Sequence, residues 1–278
     1  TQFMGKDNVP FHTLSFPATI IGSGEDWKLV DRLKSFNWLT YYGGKFSTSQ
    51  GRGVFMSDAL DIAPADCWRW YLMANAPESD DSSFTWELFG EAVNKDLVGT
   101  FGNFVNRTAT QVDRHFDGTV PEGGDDGEPE AHLWAQVGER LGEYLDAMDA
   151  LQFRRAASAL RALWAEGNAY LETREPWKTV KVDRDRTAST LRNALQLALL
   201  ESVASAPFVP EAAGRLRSAL PAASEVELRL ESSLPELARA AVRPGEVFES
   251  PGLLFSKLAP EQLEEWAERF SGSEDPGG

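Results

Sequence analysis

A lysine and a run of hydroxyl residues set between glycines are the part of this sequence best suited to chemistry. Lys45-Phe46-Ser47-Thr48-Ser49 follows Gly43-Gly44 and precedes Gln50-Gly51-Arg52-Gly53. Glycines on both sides let the backbone take positive φ and approach a ligand closely. An ammonium with clustered hydroxyls can then hold a polyphosphate through charge-assisted and neutral hydrogen bonds. The pattern is short, and a solvated surface turn would use the same residue types.

The elements around the loop decide between these readings. Asn37 to Tyr42 is aromatic and β-branched enough for a strand, and it feeds directly into the glycines. A ligand loop after a strand end is where open α/β sheets bind nucleotides. Upstream, a short apolar strand ends at Gly5-Lys6-Asp7, and Val9-Pro10-Phe11-His12 opens a helix with proline in its first turn. That helix is expected to bend at Pro17 and to stop at Gly22 and Gly24. Residues 1–45 therefore read as the end of an α/β domain. Residues 46–88 read as an irregular connecting segment with one short helix capped by Asp66, and Pro77 to Ser83 as a polar connector.

From Trp86 the periodicity becomes helical. Val93, Leu97, Phe101, Phe104 and Val105 fall on one face, with Gly99, Asn103 and Arg107 as a stripe on the other, outside the core. Further amphipathic helices are marked by Leu133 to Met148, Ala156 to Leu171 and Leu191 to Leu199, with a fifth stretch from Glu211. Pro176 stops the third, and Pro207 and Pro210 the fourth. The expected fold is mainly α, a helical bundle over residues 89–271 preceded by the terminal piece of a Rossmann-like α/β domain. The last residues, 272–278, read as a disordered tail.

Composition sets limits. Among 278 residues the net charge is −16, which argues against non-specific nucleic-acid binding. Contact with RNA has to be local, and residues 174–192 supply a basic excess. Asp125, Asp126, Glu128 and Glu130 read as one negative patch. The single cysteine, Cys67, cannot form an internal disulfide, which fits a cytoplasmic location. The three histidines show no zinc-ligand spacing, so no metal site is expected. No apolar run is long enough for a membrane span.

Taken in order, these residues resemble methionyl-tRNA synthetase, a class I aminoacyl-tRNA synthetase. Phe3-Met4-Gly5-Lys6-Asp7 with Phe11-His12 is similar to the family's strand and helix after the connective peptide. Lys45-Phe46-Ser47-Thr48-Ser49 resembles its Lys-Met-Ser-Lys-Ser loop. Asn94-Lys95-Asp96-Leu97-Val98 through Arg107 resembles the first helix of its anticodon domain, Glu175-Pro176-Trp177 its anticodon-reading turn, and Leu254 to Leu258 its closing segment. Each motif alone is weak; their order and spacing together, over residues 1 to about 271, are specific.

The resemblance implies a methionine–tRNA ligase that uses ATP with Mg2+, methionine and methionine tRNA with its CAU anticodon. It implies catalytic roles for Lys45, Ser47, Thr48 and Ser49, with Lys45 and Thr48 on the phosphates of ATP. Gly5 and Asp7 would lie by the ribose, Leu39 by the adenine, and Asn8 and His12 along the methionine pocket. Asn103, Arg107, Pro176 and Trp177 would meet the anticodon, with the Trp177 ring exposed for stacking. Two readings from the residues stay open beside these: His12 as a satisfied helix histidine, and Trp177 as a core tryptophan.

Two departures qualify the resemblance. Thr48 stands where the family has its second lysine, and Arg52 is a candidate replacement. The His-x-Gly-His motif, the first nucleotide-binding half and the zinc-bearing connective peptide have no counterpart here. The chain is therefore expected to be the C-terminal part of the ligase: a fragment, a truncated gene, or one piece of a split enzyme whose other chain supplies the missing half. Alone it is expected to be inactive. The alternatives are a non-catalytic tRNA-binding protein and a synthetase-like amino-acid-activating enzyme recruited elsewhere.

Overall fold

A computed structural model describes residues 1–224 and 226–272. The expected tail lies almost wholly outside the described residues. The chain is mainly helical, with two small parallel sheets near its start.

Strand β1 (Gln2–Gly5) pairs in parallel with β2 (Leu33–Phe36), Gln2 opposite Leu33 and Gly5 opposite Phe36. Between them runs a helix that is π-helical over Phe11–Ser15 and becomes α1 at Phe16–Ser23. The wide turn falls just before Pro17, whose missing N–H cannot close an α-helical hydrogen bond. Gly24 ends the helix at φ 71°. This strand–helix–strand unit leaves Phe11, Leu14, Phe16, Ile21 and Trp27 more than half exposed.

The segment 46–88 departs from the expected irregular connector. Strand β3 (Leu39–Tyr41) pairs in parallel with β4 (Ser82–Phe84), which lies in the stretch read as a polar connector. Helices α2 (Met56–Ile62) and α3 (Ala65–Ala74) lie between them. Serines conceal β4: Ser82 and Ser83 have low strand propensity, and only Phe84 is buried. Asp66 does not cap its own helix. Its carboxylate accepts from the backbone N–H groups of Ala212 (2.8 Å) and Glu211 (3.4 Å), at the start of a helix far along the chain.

One continuous rod follows: α4 (Trp86–Glu91), a π-helical stretch Ala92–Gly102, and α5 (Asn103–Phe116). Then come α6 (Glu128–Asp149), α7 (Phe153–Arg174), the single turn α8 (Pro176–Thr179) and α9 (Arg184–Ser205). Shorter helices complete the chain: α10 (Pro210–Ser218), α11 (Pro221–Ser224), α12 (Leu234–Ala241) and α13 (Pro260–Arg269). Helix α13 returns to the start of the rod, where Trp266 and Phe270 lie 5.3 and 5.7 Å from the buried Trp86 ring.

Helix α9 is not amphipathic as its apolar positions suggest. Eighteen of its 22 residues are buried, so it is the axis of the bundle with neighbours on all sides. One member of the acidic patch turns inward, while Asp125, Asp126 and Glu128 stay exposed. Glu130 is buried, pairs with Arg174 at 3.1 Å and accepts from the Tyr170 hydroxyl at 2.8 Å. Asp126 accepts from Ser189, Asn193 and Arg239. A carboxylate as buried as Glu130 needs such partners.

Glu201 on α9 lacks them: it is fully buried, and neither carboxylate oxygen has a hydrogen-bond partner among the described residues. Burial pushes its carboxyl well above the ordinary value of 4.5. The folded chain thus keeps a proton that the unfolded chain releases, and stability falls as pH rises from about 4.5. Replacing Glu201 with leucine should stabilise the fold at pH 7 by roughly 1–3 kcal/mol, with the gain shrinking toward pH 4.5. Urea melts of both proteins across this range measure it; a destabilised variant with no pH-dependent difference would contradict it.

Candidate functional site

The Lys45 loop grows from a strained turn. Tyr41 and Gly44 exchange backbone hydrogen bonds across Tyr42 (φ 47°) and Gly43 (φ 74°), a tight turn that needs positive φ at both central residues. The tyrosine is held there by its side chain, whose hydroxyl donates to Glu87 at 2.9 Å and accepts from the Trp86 N–H. Lys45 emerges exposed, and among the described residues its ammonium has no partner. Phe46 turns inward against Tyr41 and Phe55. Ser47 and Arg52 then exchange both backbone hydrogen bonds at 2.9 Å, so Thr48, Ser49 and Gln50 form an exposed tip.

Arg52 does not point to this tip. It donates to the Tyr41 carbonyl at 3.0 Å and lies 5.8 Å from the Tyr41 ring, bracing the turn from beneath. Leu39 and Lys45 line one open cleft of about 580 Å³ with Trp38, Gly44 and Asp81. Asp81 accepts from the Trp38 N–H at 2.9 Å and from Lys6 at 3.2 Å, and these two bonds, the backbone one first, hold its carboxyl below the ordinary range. Gly5, Asp7, Asn8 and His12 stand outside that lining, at the end of β1. Lys6 links them to it through Asp81. His12 is half-buried, its Nδ1 3.0 Å from Gln2 Oε1.

The second group of residues meets at the far end of the bundle. The rod's π-helical stretch ends at Asn103, whose backbone N–H donates to the Thr100 carbonyl, and that oxygen takes a second donor. Asn168 of α7 supplies it at 2.9 Å, and its Oδ1 accepts from Asn103 at 2.8 Å. One turn on, Arg107 pairs with Glu172 at 2.7 Å and lies 4.8 Å from the Trp177 ring. The stripe lies outside the core, with Gly99 exposed and Asn103 and Arg107 half-buried against α7. Asn168 and Glu172 escaped the sequence reading, although two polar residues four apart in a helix rich in Ala and Leu are a visible signal.

Trp177 is presented by a sharp corner. Glu175 ends α7 in the left-handed region (φ 47°), and Pro176 starts α8. Pro176 is buried; Trp177 is half-buried, not freely exposed, because part of its ring rests on the core. The half-buried indole of Trp177, the Arg107 guanidinium and the Asn103 amide are gathered here, groups of the kinds that stack on and hydrogen-bond to unpaired bases. Among the described residues no cluster of three or more His, Cys, Asp or Glu could hold a metal.

A strand-end loop of Lys and hydroxyls lies in residues 1–109, which match the family described as tRNA synthetases class I (M). Residues 120–275, more than half of the chain, match the anticodon binding domain of methionyl tRNA ligase, and the chain belongs to that family. Methionine–tRNA ligases of Caulobacter sp. (strain K31) and Jannaschia sp. (strain CCS1) are each 52% identical, over 98% and 99% of this chain. The alignments cover 48% and 47% of those proteins, so the chain spans about half the length of the curated relatives it matches. Mycobacterium tuberculosis methionyl-tRNA synthetase in complex with methionyl-adenylate superimposes with a TM-score of 0.77 at 25% identity, over 91% of this chain and 49% of that one.

The loop's conformation depends on Gly53 more than on Gly51. A Cβ at Gly53 (φ 97°) would stand 2.3 Å from the Phe46 ring, whereas one at Gly51 (φ 63°) meets nothing within 4 Å. Gly53→Ala should therefore cost about 2–4 kcal/mol and Gly51→Ala about 1 kcal/mol. Chemical denaturation of the two variants measures the difference, and equal costs would contradict the seat assigned to Phe46.

Proposed function

We propose that this chain is the part of a methionine–tRNA ligase that carries the ATP-phosphate loop and the anticodon reader. The observation that carries the reading is the convergence of Asn103, Arg107 and Trp177 at one end of a bundle whose sequence matches the anticodon-binding family. In this reading Trp177 stacks an anticodon base, and Arg107 and Asn103 hydrogen-bond base edges of the CAU triplet. Pro176 sets the corner.

At the other end, Lys45 contacts the phosphates of ATP and neutralises charge that develops on the leaving pyrophosphate, with the hydroxyls of Ser47, Thr48 and Ser49 beside it. Leu39 packs by the adenine, Gly5 and Asp7 meet the ribose, and Asn8 and His12 line the methionine pocket. Magnesium would enter bound to the triphosphate. The exposed apolar side chains of residues 3–27 are the surface on which the remaining part of the catalytic domain sits, whether in the same chain or another. Among the described residues no helix is long and apolar enough to cross a membrane.

A second reading, a tRNA-binding protein without catalysis, is favoured by one observation. Thr48 brings no charge to the loop tip, and Arg52 is turned away from it.

Two measurements test these readings. Trp177→Ala should weaken binding of methionine tRNA about ten- to a hundred-fold, the loss of one base stack, measured at a temperature where both proteins are folded, because the part of the ring that rests on the core also supports stability. Unaltered affinity would remove the anticodon role. The chain alone should show no methionine-dependent ATP–pyrophosphate exchange, and adding the missing catalytic half should restore it. Exchange by the chain alone would contradict the proposed division of the site, and failure of the reconstituted pair would favour the second reading.

A further inference from the structure

Past Arg107, helix α5 leads into a concentration of positive charge, unusual in so acidic a chain. Arg114 lies seven residues beyond Arg107, two turns on along the same helix face. Next to it His115 is half-buried, while Lys181 and Arg184 are exposed on the turn that enters α9. Arg184 is fixed in place: its guanidinium donates to the His115 carbonyl at 2.8 Å and lies 4.6 Å from the Phe116 ring. His115 registers the crowding. It is held below its ordinary value by burial first, then by Arg114, Arg184 and Lys181.

Of the rest of the basic excess in residues 174–192, Arg174, Lys178 and Arg192 are engaged by other groups of the chain, and Arg186 is exposed. Arg174 pairs with the buried Glu130, Arg192 donates to the carbonyls of Gly123 and Gly124, and Lys178 pairs with Glu175. Arg114 and Lys181 differ: among the described residues, neither side chain makes a hydrogen bond or an ion pair. The nearby Asp183 carboxylate is occupied by the Arg186 N–H at 2.9 Å, as the cap of α9. Two unpaired cations and one braced cation thus lie exposed around His115, and among the described residues none of the three forms an ion pair with a carboxylate.

From Asn103 to Arg114 is eleven residues, about 16 Å along an α-helix, room for about five stacked nucleotides at about 3.4 Å each, and fewer if they are splayed. We propose that Arg114, Lys181 and Arg184 form a phosphate-binding site for the RNA strand that leaves the Asn103–Arg107–Trp177 end. Bases are read at one end of the α5 stripe, and backbone phosphates are held at the other. Such contacts carry no sequence information but fix the register of the strand. The proposal rests on the anticodon reading of the Trp177 end, and the two are separable by experiment.

The test is binding of a fluorescent methionine-tRNA anticodon stem-loop, measured from about 50 to 200 mM salt, with the chain and with its Arg114→Gln/Lys181→Gln double variant. Neither side chain supports the fold through a hydrogen bond or an ion pair, so the variant should melt as the parent does. Its slope of log affinity against log salt should be shallower by about 1.4, for two single-strand phosphate contacts at about 0.7 each. Affinity at low salt should fall about ten-fold or more, and preference for the CAU loop should persist. An unchanged slope would overturn the proposal. If the parent shows no preference for CAU but the variant still loses its slope, the phosphate site stands and the anticodon reading fails.

Discussion

Burial of α9 on every side is the constraint on which the rest of the structure depends. A helix with no solvent face has to satisfy its side-chain polar groups within the bundle, and the partners it uses are anchored on different helices. Asn193 accepts from the Trp134 indole of α6 at 2.6 Å. Ser205 accepts from the Trp164 indole of α7 at 2.9 Å, and the Ala204 carbonyl from the Tyr144 hydroxyl at 2.9 Å. Gln196 donates to the Arg239 carbonyl of α12. Each bond contributes only about 0.5–1.5 kcal/mol net, but each is expensive to leave unmade. Together they fix the height and rotation of α6, α7 and α12 around one axis, which apolar contact alone, being non-directional, does less well.

Fixing α7 matters because it joins the two sites. It is 22 residues long, about 33 Å at helical rise. At its start the Glu78 carboxylate accepts from the Phe153 and Arg154 N–H groups at 2.9 and 3.0 Å and pairs with Lys34 of β2 at 2.8 Å. Burial pushes the Glu78 carboxyl up, but Lys34 and the two N–H groups outweigh it and hold the carboxyl below its ordinary range. One side chain thus binds together the strand–helix–strand unit, the connecting segment and the bundle. At its other end α7 turns through Glu175 and Pro176 to present Trp177. The closing segment braces the neighbouring rod, where the Asn94 side chain donates to the Leu258 carbonyl and accepts from its N–H, both at 2.8 Å.

Much of this was legible in the sequence where local chemistry decides the outcome. Gly43 takes the positive φ that a glycine allows, the helical spacing of Val93 to Val105 marked the rod, and Pro176 marked the corner before Trp177. What was not legible depends on tertiary partners. Asp66 has the right type and place to cap α3, yet the N–H groups it satisfies belong to α10, 145 residues away. Glu130 reads as surface acid because the arginine that neutralises it comes from α7; Asp126 is surface acid, tied down by arginines of α9 and α12. A helix buried all round leaves no polar face to betray it, and α9 hides its burial behind Ser, Thr and Asn. Asn168 and Glu172 gain meaning only once the π-helical stretch turns Asn103 and Arg107 toward α7.

The central claim is that the α5–α7–α8 corner discriminates bases, not merely RNA. Equilibrium titration of the chain with two anticodon stem-loops, one carrying CAU and one with the same three bases permuted, tests it most directly at a single stated salt concentration. Both RNAs offer identical charge and stem geometry, so only base readout differs. The account predicts tighter binding of the CAU loop by about ten-fold or more, the worth of one stack or bidentate base contact. Equal affinity for the two would contradict it.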